Sequence, residues 1–172
     1  MTISRRSFVE ASGLALAALA APRQAFAIGR RTADPIRIGL VGCGGRGTGA
    51  VRDAVRASDN VQIMALGDLF PDRITSAQTG FARTVAEDPR FAAAYKVTPE
   101  KCFTGFDAYK QVLATDCDLV ILATPPGFRA EQLLAAVNAG KHVFTEKPVA
   151  VDVKTALAAI AAADIAKAKG LG

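Results

Sequence analysis

Apolar and polar positions alternate along the chain in a way that predicts strands and helices in turn. Short apolar runs with β-branched residues lie at 36–41, 61–68 and 118–123, which is typical of strands buried on both faces of a sheet. Between such runs, apolar residues recur at helical spacing, for example Ile74 and Phe81. This alternation predicts an α/β fold with a doubly wound parallel sheet.

The other predicted elements are less regular. They are a helix from Pro71, a short strand over 101–104, a brief helix over 106–113, a helix over 128–139, a strand over 142–146 and an alanine-rich helix from Asp152 to about Lys169. Residues 86–98 lack clean periodicity. We predict that they form an irregular excursion beside the sheet edge.

A glycine-rich turn follows the first predicted strand. Gly42, Gly44 and Gly47 fit the pattern G-x-G-x-x-G between a strand and a helix. The first glycine permits a tight turn, the second lets the backbone approach a pyrophosphate, and the third lets the helix pack close to the strand. Asp68 ends the second strand 21 residues after Gly47, near the position from which an acid reaches the adenosine ribose. The pattern predicts a dinucleotide site, and the alternative is a glycine-rich connection in an unrelated α/β protein.

Four candidate residues lie at the ends of predicted strands. They are Gly42, Asp68, Thr124 and Glu146. Ligands of doubly wound sheets bind at the carboxyl ends of the strands. We therefore expect these residues to line one site.

Composition and charge narrow the function classes. The chain has 172 residues, 51% of them apolar, and a net charge of +5. This length suits one domain, and the basic residues are scattered, so we expect no nucleic-acid binding. Cys43, Cys102 and Cys117 form no C-x-x-C pair, so we expect no metal site and interpret all three as structural, with a Cys102–Cys117 pairing left open. His142 lies in a predicted strand, where we interpret it as a packing or hydrogen-bonding residue.

The amino-terminal segment carries the features of an export signal. Residues 4–9 read SRRSFV, a twin-arginine pattern, and are followed by an apolar stretch over 11–21 and by a small-x-small site at 25–27. A membrane anchor is the alternative, but the stretch is shorter than the roughly 20 residues that span a bilayer. We predict a twin-arginine (Tat) signal peptide over 1–27 and a linker over 28–35. The Tat machinery would be a partner, and the protein would be periplasmic or secreted.

Three segments together resemble the amino-terminal domain of the Gfo/Idh/MocA oxidoreductases. They are the glycine turn at 42–47, the loop ATPP at 123–126, and AGKHVFTEKP at 139–148. The resemblance implies an NAD(P)-binding Rossmann domain over 36–172. It assigns the cofactor to the turn residues Gly42, Cys43, Gly44, Gly45, Arg46 and Gly47, with the ribose on Asp68.

The resemblance also assigns the nicotinamide side of the cofactor. Thr124 and Pro125 would line it, and Glu146 would contact the cofactor. Lys147 would be the catalytic residue, which lies between nicotinamide and substrate and moves a proton at the reacting hydroxyl. We expect NAD rather than NADP because Asp68 would repel a 2′-phosphate.

The implied activity is an NAD(P)-dependent oxidoreductase acting on a sugar, polyol or glycoside hydroxyl with a tightly bound cofactor. Full members of the family carry a second α/β domain with substrate contacts and oligomer interfaces. We expect this chain to be a fragment that lacks that domain, stops short of the last Rossmann strand and is inactive alone, and the full-length protein to be a homo-oligomer. The alternatives are an exported NAD-dependent glycosidase that uses transient oxidation and a non-catalytic nucleotide-binding module.

Overall fold

The structure is a computed structural model that describes residues 34–172. The predicted signal peptide over 1–27, and the linker up to residue 33, lie outside the described residues. Residues 35–172 cluster as one unit. Within the described range, no helix combines the length and apolar character needed to cross a membrane.

Within residues 34–172, five parallel strands form one sheet in the order β3-β2-β1-β4-β5. They are β1 Ile36–Val41, β2 Val61–Asp68, β3 Cys102–Thr104, β4 Leu119–Leu122 and β5 His142–Thr145. The strand order reverses beside β1, because the chain proceeds outward from β1 to β3 and then returns to β4. The prediction of a doubly wound parallel sheet is confirmed, and ligands of such sheets bind at this reversal.

Residues 34–172 also form six α-helices, of which the first five precede β5 and the last follows it. They are α1 Gly45–Ala57, α2 Pro71–Glu87, α3 Pro89–Ala94, α4 Ala108–Leu113, α5 Pro126–Asn138 and α6 Val153–Ala168. Helix α6 begins with a capping box in which Asp152 accepts a hydrogen bond from the Thr155 amide, which satisfies an amide that the helix itself leaves without a partner.

Apolar side chains cover both faces of the sheet. On one face, Leu40 and Ile63 belong to a buried cluster with Phe81 of α2. On the other face, Val41 and Leu122 pack with Val112 of α4. The central strands are therefore buried on both sides, as their nearly continuous apolar sequences predict.

The prediction of an irregular excursion over 86–98 is wrong. Asp88 accepts hydrogen bonds from the amides of Arg90 and Phe91 and caps α3. The ring of Phe91, which is fully buried, lies 5.5 Å from that of Phe81 and 5.9 Å from that of Tyr95. A six-residue helix is too short to display a periodic pattern, and this aromatic packing stabilises it.

The histidine and the cysteines have structural surroundings. His142 Nδ1 accepts a hydrogen bond from the Gly172 amide at 3.0 Å, in agreement with the interpretation of His142 as a hydrogen-bonding residue. Cys43, Cys102 and Cys117 are free thiols. The Cys102–Cys117 pairing left open above is therefore not formed.

Candidate functional site

A cleft of about 610 Å³ lies at the carboxyl ends of β1, β2 and β4. Its lining includes five of the predicted site residues, namely Gly42, Gly44, Asp68, Thr124 and Pro125. The structure thus brings together residues from the turn after β1, the end of β2 and the loop after β4. The cleft therefore lies at the carboxyl end of the sheet, beside the point between β1 and β4 at which the strand order reverses.

Two positions of the turn after β1 require glycine. Gly42 has φ +95°, and a Cβ atom there would lie 2.7 Å from the backbone of Ala123 and Thr124. A Cβ atom on Gly47 would overlap the carbonyl oxygen of Gly42 and lie 3.2 Å from the Cβ of Ala123. Both glycines therefore allow the turn, the first turn of α1 and the end of β4 to pack directly on one another.

The second glycine of the pattern lies in a different environment. Gly44 is the N-cap of α1 and lines the cleft, and a Cβ atom on Gly44 or Gly45 would meet no atom within 4 Å. No side chain among the described residues caps α1, and its first turn holds no acidic residue. The first amides of a helix lack acceptors within the helix and carry partial positive charge. The open space beside Gly44 is thus suited to an anion.

The Asp68 carboxylate is held by two backbone amides. Its Oδ2 accepts a hydrogen bond from the Cys43 amide at 2.7 Å, and its Oδ1 accepts one from the Phe70 amide at 3.0 Å. Each carboxylate oxygen has a second lone pair that can accept a further hydrogen bond. The carboxylate is therefore fixed in position and can still accept from neighbouring hydroxyls.

Cys43 contributes its amide rather than its thiol. Burial, and secondly the charge of Asp68, raise the pKa of the Cys43 thiol far above its ordinary value. The Sγ atom lies 3.5 Å from the carbonyl oxygen of Gly67, to which it can donate. A neutral, buried thiol is not a nucleophile, so Cys43 acts here as a small residue that fits the turn.

An ion pair connects α1 with the end of β5. Arg46 approaches Glu146 Oε1 with Nε at 2.6 Å and Nη2 at 2.5 Å. The Arg46 side chain is 59% exposed, whereas that of Glu146 is 8% exposed. The hydrogen bond from Arg46 lowers the pKa of Glu146 against the opposing effect of burial. Glu146 is therefore ionised at neutral pH. The Arg46 side chain extends to it from the first turn of α1.

Two further residues of the site, Arg129 and Gln132, were missed by the sequence analysis. Both are on α5 and buried. Thr124 Oγ1 donates to Gln132 Oε1 at 2.6 Å, and Arg129 Nε donates to the carbonyl oxygen of Thr124 at 2.7 Å. The signal that could have found them is their spacing with Ala136, because positions 129, 132 and 136 share the buried face of a helix.

Lys147 lies outside the cleft lining. It follows Glu146 directly, precedes Pro148 and is exposed. Of the four strand-end residues expected to line one site, three line this cleft, namely Gly42, Asp68 and Thr124. Glu146 lies outside the cleft lining, and Lys147 is on an exposed loop after β5.

The residues present fit a dinucleotide. The open space at Gly44 and the amides of α1 suit a pyrophosphate, and the fixed carboxylate of Asp68 suits ribose hydroxyls. Arg46 adds a cation that could contact a phosphate oxygen. When bound, a nicotinamide cofactor would supply a hydride acceptor or donor, while the protein would bind and orient it.

The strand order, the glycine turn and Asp68 define the class of dinucleotide-binding α/β domains. The chain belongs to the Gfo/Idh/MocA oxidoreductase family. Residues 36–170 match the family's NAD-binding Rossmann fold.

The chain is similar to several named proteins. It is 28% identical to a glycosyl hydrolase family 109 protein of Shewanella pealeana, over 89% of this chain and 35% of that protein. It is 31% identical to inositol 2-dehydrogenase 3 of Saccharopolyspora erythraea, over 79% of this chain and 34% of that protein. The structure of the WlbA dehydrogenase of Chromobacterium violaceum in complex with NADH and UDP-GlcNAcA is similar with a TM-score of 0.56 and 30% identity, over 79% of this chain and 34% of that chain. This chain spans 23% to 35% of the length of the first curated relatives it matches.

Proposed function

We propose that this chain is the NAD-binding domain of an oxidoreductase that acts on a hydroxyl of a sugar or polyol. The observation that carries the proposal is the Asp68 carboxylate, which is held by two backbone amides in a cleft beside the uncapped amino terminus of α1. The names of the similar inositol 2-dehydrogenase and WlbA dehydrogenase support the substrate class. The activity would belong to a longer protein that forms a homo-oligomer, as the family resemblance implies.

Each site residue is assigned a proposed role from its position. The backbone from Gly42 to Gly47 and the Arg46 guanidinium bind the phosphates, and Asp68 binds the adenosine ribose. Thr124 and Pro125 orient the nicotinamide end, and Glu146 contacts the cofactor. Lys147 moves a proton at the reacting hydroxyl; its exposure in the described chain leaves its ammonium accessible to substrate.

NAD is the proposed cofactor rather than NADP. The negative charge of Asp68 opposes a 2′-phosphate. Arg73 also lines the cleft and is a nearby cation. The preference for NAD over NADP would depend on the balance between repulsion of a 2′-phosphate by Asp68 and its attraction by Arg73.

The test is titration of the purified chain with NAD⁺ and NADP⁺ by isothermal calorimetry. We expect Asp68→Ala to weaken NAD⁺ binding by about 10- to 100-fold, since charge-assisted hydrogen bonds contribute about 1.5–3 kcal/mol, and to weaken NADP⁺ binding less. Asp72→Ala, an exposed change in the first turn of α2, is the matched control and should alter neither affinity. An equal fall for both cofactors would contradict the ribose assignment, and no binding of either by the wild-type chain would contradict the function.

Export by the Tat route is a second part of the proposal. It is supported by the sequence SRRSFV at 4–9 and the small residues at 25–27. The Tat route carries folded proteins, so a cytoplasmic cofactor could travel bound to this domain and be restored within each catalytic cycle. A reporter fused after residue 35 should reach the periplasm, and Arg5→Lys with Arg6→Lys should retain it in the cytoplasm. Export that survives both substitutions would contradict this part.

A glycosidase is the second candidate function. The names of relatives from Shewanella pealeana and Bacteroides fragilis, the latter 37% identical over 69% of this chain, support it. Such an enzyme would oxidise and re-reduce its substrate during cleavage. Release of a free sugar by the full-length protein with no net NADH would favour it, whereas NADH formed in proportion to product would favour the dehydrogenase.

A further inference from the structure

We propose that Arg129 is a positioning residue that fixes the loop after β4 to the loop after β5. It thereby sets where Lys147 lies relative to Thr124. This inference rests on the proposed function, since its consequence is for the nicotinamide end of the cofactor. The residues concerned are in two separate loops, and Arg129 is on α5, which lies between these loops in the chain.

One guanidinium makes three hydrogen bonds across the two loops. Arg129 Nε donates to the Thr124 carbonyl at 2.7 Å. Arg129 Nη1 donates to the carbonyls of Glu146 at 2.7 Å and Pro148 at 2.6 Å. The acceptors in the second loop are the residues on either side of Lys147. The backbone at Lys147 is thus held at both neighbours by a side chain that also holds Thr124.

The burial of Arg129 indicates that its hydrogen bonds are needed to hold the two loops in position. The residue is only 6% exposed. Burial lowers the pKa of Arg129, and the charge of Glu146 partly opposes this effect. A buried cation is costly to desolvate, and replacement of such groups by apolar residues is often neutral or stabilising. The three carbonyls satisfy the guanidinium, and what the arrangement provides is a defined spacing between the two loops.

Arg46 and Arg129 act on different parts of Glu146. Arg46 contacts the carboxylate and is 59% exposed, whereas Arg129 contacts the carbonyl and is buried. The exposed Arg46 can exchange the Glu146 carboxylate for a phosphate while Arg129 keeps the backbone of Glu146 in place. The two arginines therefore separate phosphate binding from loop position.

Lysine cannot reproduce the contacts of Arg129. The hydrogen bonds use two nitrogens of a planar guanidinium fork, and a lysine has a single nitrogen on a flexible stem. Arg129→Lys keeps the charge and removes the fork. Arg129→Gln removes the charge, retains an amide donor and serves as the second variant if the lysine variant does not fold.

The test compares NAD⁺ with ADP-ribose, in which a hydroxyl replaces the nicotinamide, by calorimetry on the full chain. We expect Arg129→Lys to lower the ratio of NAD⁺ affinity to ADP-ribose affinity by about tenfold, as expected for the loss of one or two hydrogen bonds. ADP-ribose binding should stay within about twofold of the wild type. Arg90→Lys is the matched control, because Arg90 also donates to two backbone carbonyls, those of Val55 and Arg56, away from the cleft. It should leave the ratio unchanged.

Amide hydrogen exchange of the ligand-free chain supplies an independent measurement. Exchange at Glu146 and Lys147 should accelerate in Arg129→Lys, while β1 and the Arg90→Lys control keep the wild-type rates. The positioning role would be overturned if Arg129→Lys lost affinity for both ligands equally or kept the wild-type affinity ratio. It would also be overturned if the wild type bound both ligands equally, or if exchange at Glu146 and Lys147 were unchanged in Arg129→Lys. Absence of all binding by the wild type with faster loop exchange in the variant would instead reject the proposed function and leave the loop contact supported.

Discussion

Two aspartates at opposite ends of the parallel sheet, Asp118 and Asp68, are held in different ways. At the amino ends, Arg37 contacts Asp118 through Nε at 3.2 Å and Nη2 at 2.9 Å, and Asp116 through Nη1 at 3.1 Å. At the carboxyl ends, both hydrogen bonds of Asp68 come from backbone amides. Asp118 thus has a guanidinium partner, whereas both partners of Asp68 are main-chain amides.

This difference separates a structural role from a binding role. Opposite charges that contact each other, as at Arg37, mainly satisfy one another and stabilise the fold. Lys141, at the same end of the sheet, donates instead to the main-chain carbonyls of Thr115 and Cys117. A carboxylate held by amides can still accept hydrogen bonds from a ligand, and a helix terminus that no described side chain caps keeps its amides available. The carboxyl end is therefore prepared for a ligand.

The largest expected effect is at Gly47. Gly47→Ala places a Cβ atom against the Gly42 carbonyl oxygen and near Leu40. We therefore expect the free energy of unfolding to fall by roughly 3 kcal/mol or more, which is the upper end of the range for overpacked cores. NAD⁺ binding should be lost with it. Urea denaturation and calorimetry measure the two effects.

Gly49→Ala in the same helix is the matched control for Gly47. A Cβ atom at Gly49 would meet nothing within 4 Å, so this change should raise stability by about 0.5–1 kcal/mol through helix propensity. Equal effects of the two substitutions would show that the close approach of α1 to the turn is not required.

An intermediate effect is expected at Arg37. Arg37→Met removes the contacts to Asp116 and Asp118, whose side chains are partly exposed with that of Arg37, so we expect a loss of about 1 kcal/mol in stability. NAD⁺ affinity should not change. Lys110→Met, which removes an exposed pair with Asp107, is the control and should have little effect on stability. A fall in NAD⁺ affinity in Arg37→Met would contradict the division between the two ends.

The smallest expected effect on stability is at Arg46, and it depends on pH. The pKa of Glu146 is lowered from 4.5, mainly by the Arg46 hydrogen bond, so the stabilisation is present above pH 4.5 and is lost as pH falls through the lowered pKa. Arg46→Gln should therefore unfold at a lower denaturant concentration than the wild type at pH 7. The gap should narrow below pH 4.5. A gap that stays constant down to pH 3 would show that the ion pair does not stabilise the folded protein.

The sequence predicted where the local parts of the candidate site lie in the fold. The turn at 42–47 and Asp68 belong to one continuous stretch of strand, helix and strand, whose spacing depends only on regular backbone geometry. The strand ends that carry Thr124 and Glu146 were likewise found from apolar runs. Helix α3 was missed because its short length gives no period, and Arg129 and Gln132 were missed because polar residues on a helix are usually exposed.

By itself, the sequence determined the order of the strands and of every α-helix except α3, the glycine turn and the sheet end at which the candidate residues meet, because these depend on local periodicity and on the handedness of crossovers. Only the tertiary structure decided which side chains contact each other. Arg46 and Glu146 are 100 positions apart, and Arg129 reaches carbonyls in two different loops. Such contacts depend on the packing of α1 and α5 against the sheet, which no local pattern specifies.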